Sequence, residues 1–148
     1  MKKSSHSKLF WVGVGIFIFI YPMFISIYVF LPLLIGGVSY ILIAGVEREK
    51  SYYIFVAIIY LINLEVNLSL PLFLTTISAF IFYVTIYPNL KYFRICKLCQ
   101  HILSVVLLDI FYLCAIFFFD FIFQTQSIVL DKILLYSLIV DILIVVIV

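Results

Sequence analysis

Charge is what this chain has least of. Asp, Glu, Lys and Arg make up 11% of its 148 residues, less than half the share usual in soluble domains, and residues 9–46 hold none at all. Too few charges remain to coat a water-soluble enzyme or carrier. The net charge of +2 is likewise too small to draw nucleic acid as a partner. Cysteine is scarce as well. Cys96, Cys99 and Cys114 form an odd set, so no disulfide framework is expected. The Cys96-Lys97-Leu98-Cys99 spacing lacks the second ligand pair that zinc needs and the βαβ setting of a redox motif. The two histidines are His6 and His101, and no HExxH, GxSxG or phosphate-cradling glycine loop accompanies them. No catalytic, cofactor-binding or metal-binding set is therefore expected.

What is present is apolar. With 68% hydrophobic residues and a mean hydropathy of +1.38, the chain is predicted to be an all-α integral membrane protein, a single domain over residues 1–148. Residues 1–8 carry Lys2, Lys3 and Lys8 and read as a cytoplasmic tail, because no small-x-small cleavage site follows. As one helix, residues 9–46 would span roughly 57 Å, nearly twice a hydrocarbon core of ~30 Å. Two spans are expected there instead, broken near Pro32, with Pro22 kinking the first. Gly36, Gly37 and Gly45 would let the second span approach its neighbours closely. The remaining apolar runs bring the expected set to about six spans in one bundle: 9–30, 31–46, 52–64, 71–87, 102–123 and 131–148. A basic loop is expected over 89–101 and a polar turn at Gln124-Thr125-Gln126-Ser127.

Lys and Arg near span ends are retained in the cytoplasm. Six spans place Lys2, Lys3, Lys8, Arg48, Lys50, Lys91, Arg94 and Lys97 inside and only Lys132 outside. If residues 9–46 crossed once, Arg48, Lys50, Lys91, Arg94 and Lys97 would face outward. Both termini are accordingly expected in the cytoplasm. Tyr52, Tyr53, Tyr87, Tyr92 and Trp11 then fall near span ends, as aromatic belts require.

Polar residues cluster once near the middle. Asn63, Glu65, Asn67 and Ser69 alternate with Leu64, Val66, Leu68 and Leu70, a period of two that fits half-buried extended backbone on the outer side. In a helix, Asn63 and Asn67 would instead share a face from which Glu65 points away. The stretch is either an ordinary outer loop or a packing and docking element. Two further acids lie inside spans, where a charge costs ~2.5–3.5 kcal/mol. Asp109 and Asp141 should sit at similar depth, ~10 Å from the cytoplasmic side, with Ser104, Tyr112 or Ser137 as hydrogen-bonding neighbours. They could serve as structural hydrogen-bonding groups, as a proton or cation site, or as contacts to another chain. Asp120, nearer the outer boundary, reads as a solvated span end.

An apolar span ending in a polar residue, then Leu68-Ser69-Leu70-Pro71-Leu72-Phe73, then another apolar span, resembles the MreD family of rod-shape-determining membrane proteins. In that family a comparable span ends in an acidic residue, followed by a short loop with proline or glycine. Asn63 or Glu65 would take the acidic position, and Leu70-Pro71-Leu72 the loop. The resemblance implies a non-enzymatic scaffold of the bacterial cell-wall elongation machinery in the cytoplasmic membrane. Its partners would be membrane lipid, an MreC-like anchor and a cell-wall synthase of the RodA type with its class B penicillin-binding protein. Asn63, Glu65, Asn67, Pro71, Asp109 and Asp141 are the candidate partner-binding or buried polar residues. Similar six-helix subunits bind substrate in vitamin-type transporters, which leaves transport as the alternative beside a lineage-specific membrane role.

Overall fold

The computed structural model describes residues 3–28, 31–92, 96–124 and 131–147, with the side chains of 3–7 and 131–134 excepted. Lys2, Arg94, Val148 and the expected turn at Thr125, Gln126 and Ser127 lie outside the described residues. Among the described residues all regular structure is helical, with no strand: α1 (Lys3–Ile27), α2 (Ile35–Glu47), α3 (Ser51–Asn67), α4 (Leu74–Thr85), α5 (Tyr87–Tyr92), α6 (Lys97–Phe123) and α7 (Asp131–Ile147). Two stretches, Lys8–Ile27 and Lys97–Phe123, are long and apolar enough to cross a membrane.

The break near Pro32 stands where it was expected, and several other boundaries differ. The first break falls beside Pro32, while Pro22 lies inside α1. The second helix starts at Ile35, after Leu34 in the left-handed region at φ 56°. The third continues to Asn67 rather than stopping near residue 64. Pro88 does not end helical structure but sits at the second position of α5, where its missing N–H has no partner to lose. The last part of the expected basic loop is helical too, because α6 begins at Lys97.

The hub of the fold is α2. It packs against α3, α4, α6 and α7, whereas α1 rests on α3. At Gly45 the absence of a side chain allows that closeness, since a Cβ there would fall 3.0 Å from Tyr53 Cβ. Two apolar clusters hold the helices together. Ile18, Ile25, Leu33, Tyr60, Leu64 and Tyr112 form one; Leu42, Ile43, Ala57, Ala79, Phe82 and Leu108 form the other. Asp109 follows Leu108 in α6 and so lies where the two clusters meet.

Charges are used at one end of α2. Glu47 accepts from Tyr87 Oη at 2.7 Å and from Lys91 Nζ, which ties α5 to the last turn of α2. The Lys91 ammonium, helped by the Tyr87 hydroxyl, holds the Glu47 carboxyl below its ordinary value. On the same side, Tyr40 Oη and His101 Nδ1 are hydrogen-bonded.

Candidate functional site

The segments that open α2 and α4 share a sequence: Leu31-Pro32-Leu33-Leu34-Ile35-Gly36-Gly37-Val38-Ser39 and Leu70-Pro71-Leu72-Phe73-Leu74-Thr75-Thr76-Ile77-Ser78. The correspondence extends backwards, so that Tyr21 stands where Tyr60 does and Ser26 where Glu65 does. In both copies the residue before the helix is left-handed, Leu34 at φ 56° and Phe73 at φ 65°. Proline sets the chain direction, and three residues later the helix begins. The first amides of any helix have no intrahelical partner, so each start needs an acceptor from elsewhere.

For α4 that acceptor is Glu65. Its carboxylate accepts from Phe73 N at 2.7 Å, Thr75 N at 2.8 Å and Thr75 Oγ1 at 2.5 Å. The side chain is fully enclosed, at 0% exposure. The polar stretch is thus not extended backbone. It is the last turn of α3, and its alternating pattern arises because Glu65 faces inward toward α4 while Asn63 and Asn67 lie on a different face. Asn67 Nδ2 donates to Asn63 O at 2.7 Å and to Asn63 Oδ1 at 2.9 Å. Asn63 Nδ2 donates in turn to Ile18 O at 3.0 Å and Phe19 O at 3.3 Å, bridging α3 to α1. Pro71, partly buried, forms the turn between the capping acid and the helix it caps.

For α2 the position matching Glu65 is Ser26, which is exposed and bonds to Met23 O in its own helix. The acceptors come from the far end of the chain. Gly36 N donates to Asp141 Oδ2 at 3.0 Å, and the Asp109 carboxyl packs on the same glycine. A Cβ at Gly36 would fall 2.6 Å from both Asp109 oxygens, and one at Gly37 would fall 3.2 Å from Asp141 Oδ1. Glycine is required here by the approach of the carboxyls, not by backbone conformation. The carbonyls freed by the break are also met, with Tyr21 Oη donating to Pro32 O at 2.9 Å and Tyr60 Oη to Leu33 O at 3.1 Å. The two corresponding tyrosines thus hold the two carbonyls that precede α2.

Asp109 and Asp141 do converge, and of the expected neighbours Ser137 lies beside the Asp141 carboxyl. Ser104 Oγ donates to Gln100 O within α6. Tyr112 Oη and Ser137 Oγ are buried without a hydrogen-bond partner, as are Asp109 Oδ2 and Asp141 Oδ1. Asp120 is partly exposed. One short disulfide, which the cysteine count did not suggest, joins Cys96 and Cys99 within the first turn of α6, with Cys96 Sγ also accepting from Cys99 N. Three residues apart at a helix start, the two side chains meet without a larger framework. Among the described residues no group of three or more His, Cys, Asp or Glu is placed to hold a metal.

Sequence reasoning passed over Gly36 as a carboxyl contact, Thr75 as a partner of Glu65, and Tyr21 and Tyr60 as carbonyl clamps. The signal that marks them is the repeated Leu-Pro-Leu segment. A shallow apolar groove of about 400 Å³ runs between α4 and α6, lined by Ile77, Ile81, Phe111, Cys114, Phe118 and Ile122 among others. No family model, curated protein or solved structure matches the chain.

Proposed function

We propose that the chain is a multi-pass protein of a bacterial cytoplasmic membrane. It crosses six times through α1, α2, α3, α4, α6 and α7, with α5 on the cytoplasmic face and both termini inside. It acts without catalysis, as a scaffold subunit of the cell-wall elongation machinery in the manner of MreD. Support for the membrane placement comes from α1, which exposes Leu9, Phe10, Ile16 and Phe19, side chains that water would penalise and lipid would accept. The break before α2 fits the same setting. Non-helical backbone at membrane depth is tolerated only where protein groups satisfy it, and here tyrosine hydroxyls meet the carbonyls of Pro32 and Leu33 while an aspartate meets the Gly36 amide.

The observation that carries the scaffold role is the groove between α4 and α6. It is open, nearly wholly apolar and lies directly beyond the Glu65-capped start of α4. A partner helix bound there would be held by packing, since lipid offers no hydrophobic drive between helices. An MreC-like membrane anchor and a RodA-type synthase are the partners proposed. Transport is the second candidate, favoured by the interrupted entry to α2, because transporters use helix N-termini inside the bundle to hold substrate or ions.

Crosslinking in native membranes from side chains in the groove, such as Phe118, followed by pulldown, tests both. Recovery of cell-wall synthesis proteins supports the scaffold. Recovery of an ATPase pair with a coupling subunit overturns it in favour of transport.

A further inference from the structure

Two carboxyls from different helices meet at Gly36 of α2, and one of them, Asp141, reaches Gly37 as well. Asp141 accepts from Gly36 N, and Asp109 lies against the Gly36 Cα, where a Cβ would fall 2.6 Å from both of its oxygens. The start of α2 offers roughly half a positive charge. No Lys or Arg occurs in residues 9–46, 51–90, 98–131 or 133–148 to add to it. Two full negative charges flanking one glycine in such an interior repel strongly. One negative charge, shared, is the best match to the helix start.

A second observation points the same way. Asp109 Oδ2 and Asp141 Oδ1 lack hydrogen-bond partners, and so does Ser137 Oγ, although Asp109, Asp141 and Ser137 are exposed by only 3%, 0% and 1%. Buried polar atoms are rarely left so. At Glu65, by contrast, both carboxylate oxygens are engaged. The unsatisfied oxygens face the Gly36-Gly37 strip, where Asp141 Oδ1 would be 3.2 Å from a Gly37 Cβ.

We propose that Asp109 and Asp141 form a binding site for a single proton, shared between the two carboxyls and held against the α2 N-terminus. The proton is taken from water and returned to it. While bound, it leaves one charge opposite the Gly36 amide. Its loss adds a second charge beside the same amide, and a second proton would leave no negative charge opposite the start of α2. The titratable groups nearest the pair are Tyr21 from α1 and Tyr60 from α3, both close to Asp141; Tyr136 of α7 lies beside Tyr21, and Tyr112 of α6 lies toward Glu65 of α3. Tyr21 and Tyr60 are committed to Pro32 O and Leu33 O. Further along α2 stands Tyr40, hydrogen-bonded to His101 of α6; α4 brings only Tyr83, at its far end. The site stands whether the chain is a scaffold or a carrier.

Infrared spectra of the full-length protein in lipid vesicles test this through the C=O stretch of protonated carboxyls, identified by its shift in D2O. Near neutral pH the wild type should show about one such carboxyl per chain. Asp109→Asn and Asp141→Asn should each abolish it, because either one alone leaves a single charge opposite the helix start, while Glu65→Gln should leave it intact. Amplitudes of zero or two carboxyls in the wild type overturn the proposal without recourse to any variant. So do persistence of the band in either Asp variant, and its loss when Na+ replaces choline at constant pH and ionic strength, which would mark a cation site.

Discussion

The starts of α2 and α4 both follow a Leu-Pro-Leu segment, yet one is closed and the other is not. At α4, Glu65 arrives from the preceding helix only eight residues before Phe73, and its two oxygens take three donors. At α2, the matching position is Ser26, and the acceptors come from Asp109 and Asp141 in helices much later in the chain. Threonines line the closed start and glycines the open one. A local acid makes a saturated cap that depends on one hairpin. Distant acids make a junction that exists only when α6 and α7 have docked, and they leave oxygens over.

Removing the closed cap should have the largest effect. Glu65→Ala strands the buried amide and hydroxyl of Thr75 and the part-buried amide of Phe73, and hydrogen bonds to a charged group contribute about 1.5–3 kcal/mol each. A loss of about 3 kcal/mol or more is expected in reversible unfolding in bicelles. Glu65→Gln, which keeps one acceptor, should lose less. If Glu65→Ala unfolded like the wild type, the contrast between the two starts would collapse.

Gly36→Ala comes next. Its methyl would collide with the Asp109 carboxyl, and overpacking costs about 1–3 kcal/mol. Coupling sharpens the point: Asp109→Ala should recover part of the loss, so the double variant is expected to be non-additive in thermal melting. Thr75→Ala, at the matching position of α4, should fail to show any coupling to Asp109.

Tyr21→Phe and Tyr60→Phe remove the hydroxyls that hold Pro32 O and Leu33 O. Each should cost about 1 kcal/mol, read by denaturant midpoint, and backbone exchange should rise at the start of α2 rather than of α4.

The smallest effect concerns the opposite end of α2. Because the Glu47 carboxyl is held below its ordinary value in the folded chain, its contribution is complete above the usual glutamate range and fades as pH falls through the lowered value. The pair with Lys91 is about half exposed, so solvent screening limits it to well under 1 kcal/mol. Lys91→Ala should flatten this acid limb and leave the two helix starts untouched.

Much of the fold was legible beforehand. Apolar runs, basic clusters and Pro32 were enough to separate α1 from α2 and to place α3, α4, α6 and α7 within a few residues. Hydropathy reports how long a segment stays apolar, and that property is local. The helix starts were less legible. A helix beginning at Ile35 looks continuous with Leu31 in composition, since the difference lies in φ at Leu34 and not in polarity. Asn63 and Asn67 were correctly seen to share a face in the helical alternative, but nothing in their spacing shows that they reach across to Ile18 and Phe19. The disulfide was missed because an odd cysteine count argues against a framework and says nothing about one short loop.

The sequence by itself determined that this chain is helical and apolar, with its cations confined to a few short segments and its buried acids without basic neighbours. Those are consequences of composition and order along the chain. Only the tertiary structure decided which acid meets which helix. Glu65 finds Thr75 because a hairpin turns at Pro71, whereas Asp109 and Asp141 find Gly36 because two glycines leave room there for carboxyls carried in by α6 and α7. Close approach in three dimensions has no period in one.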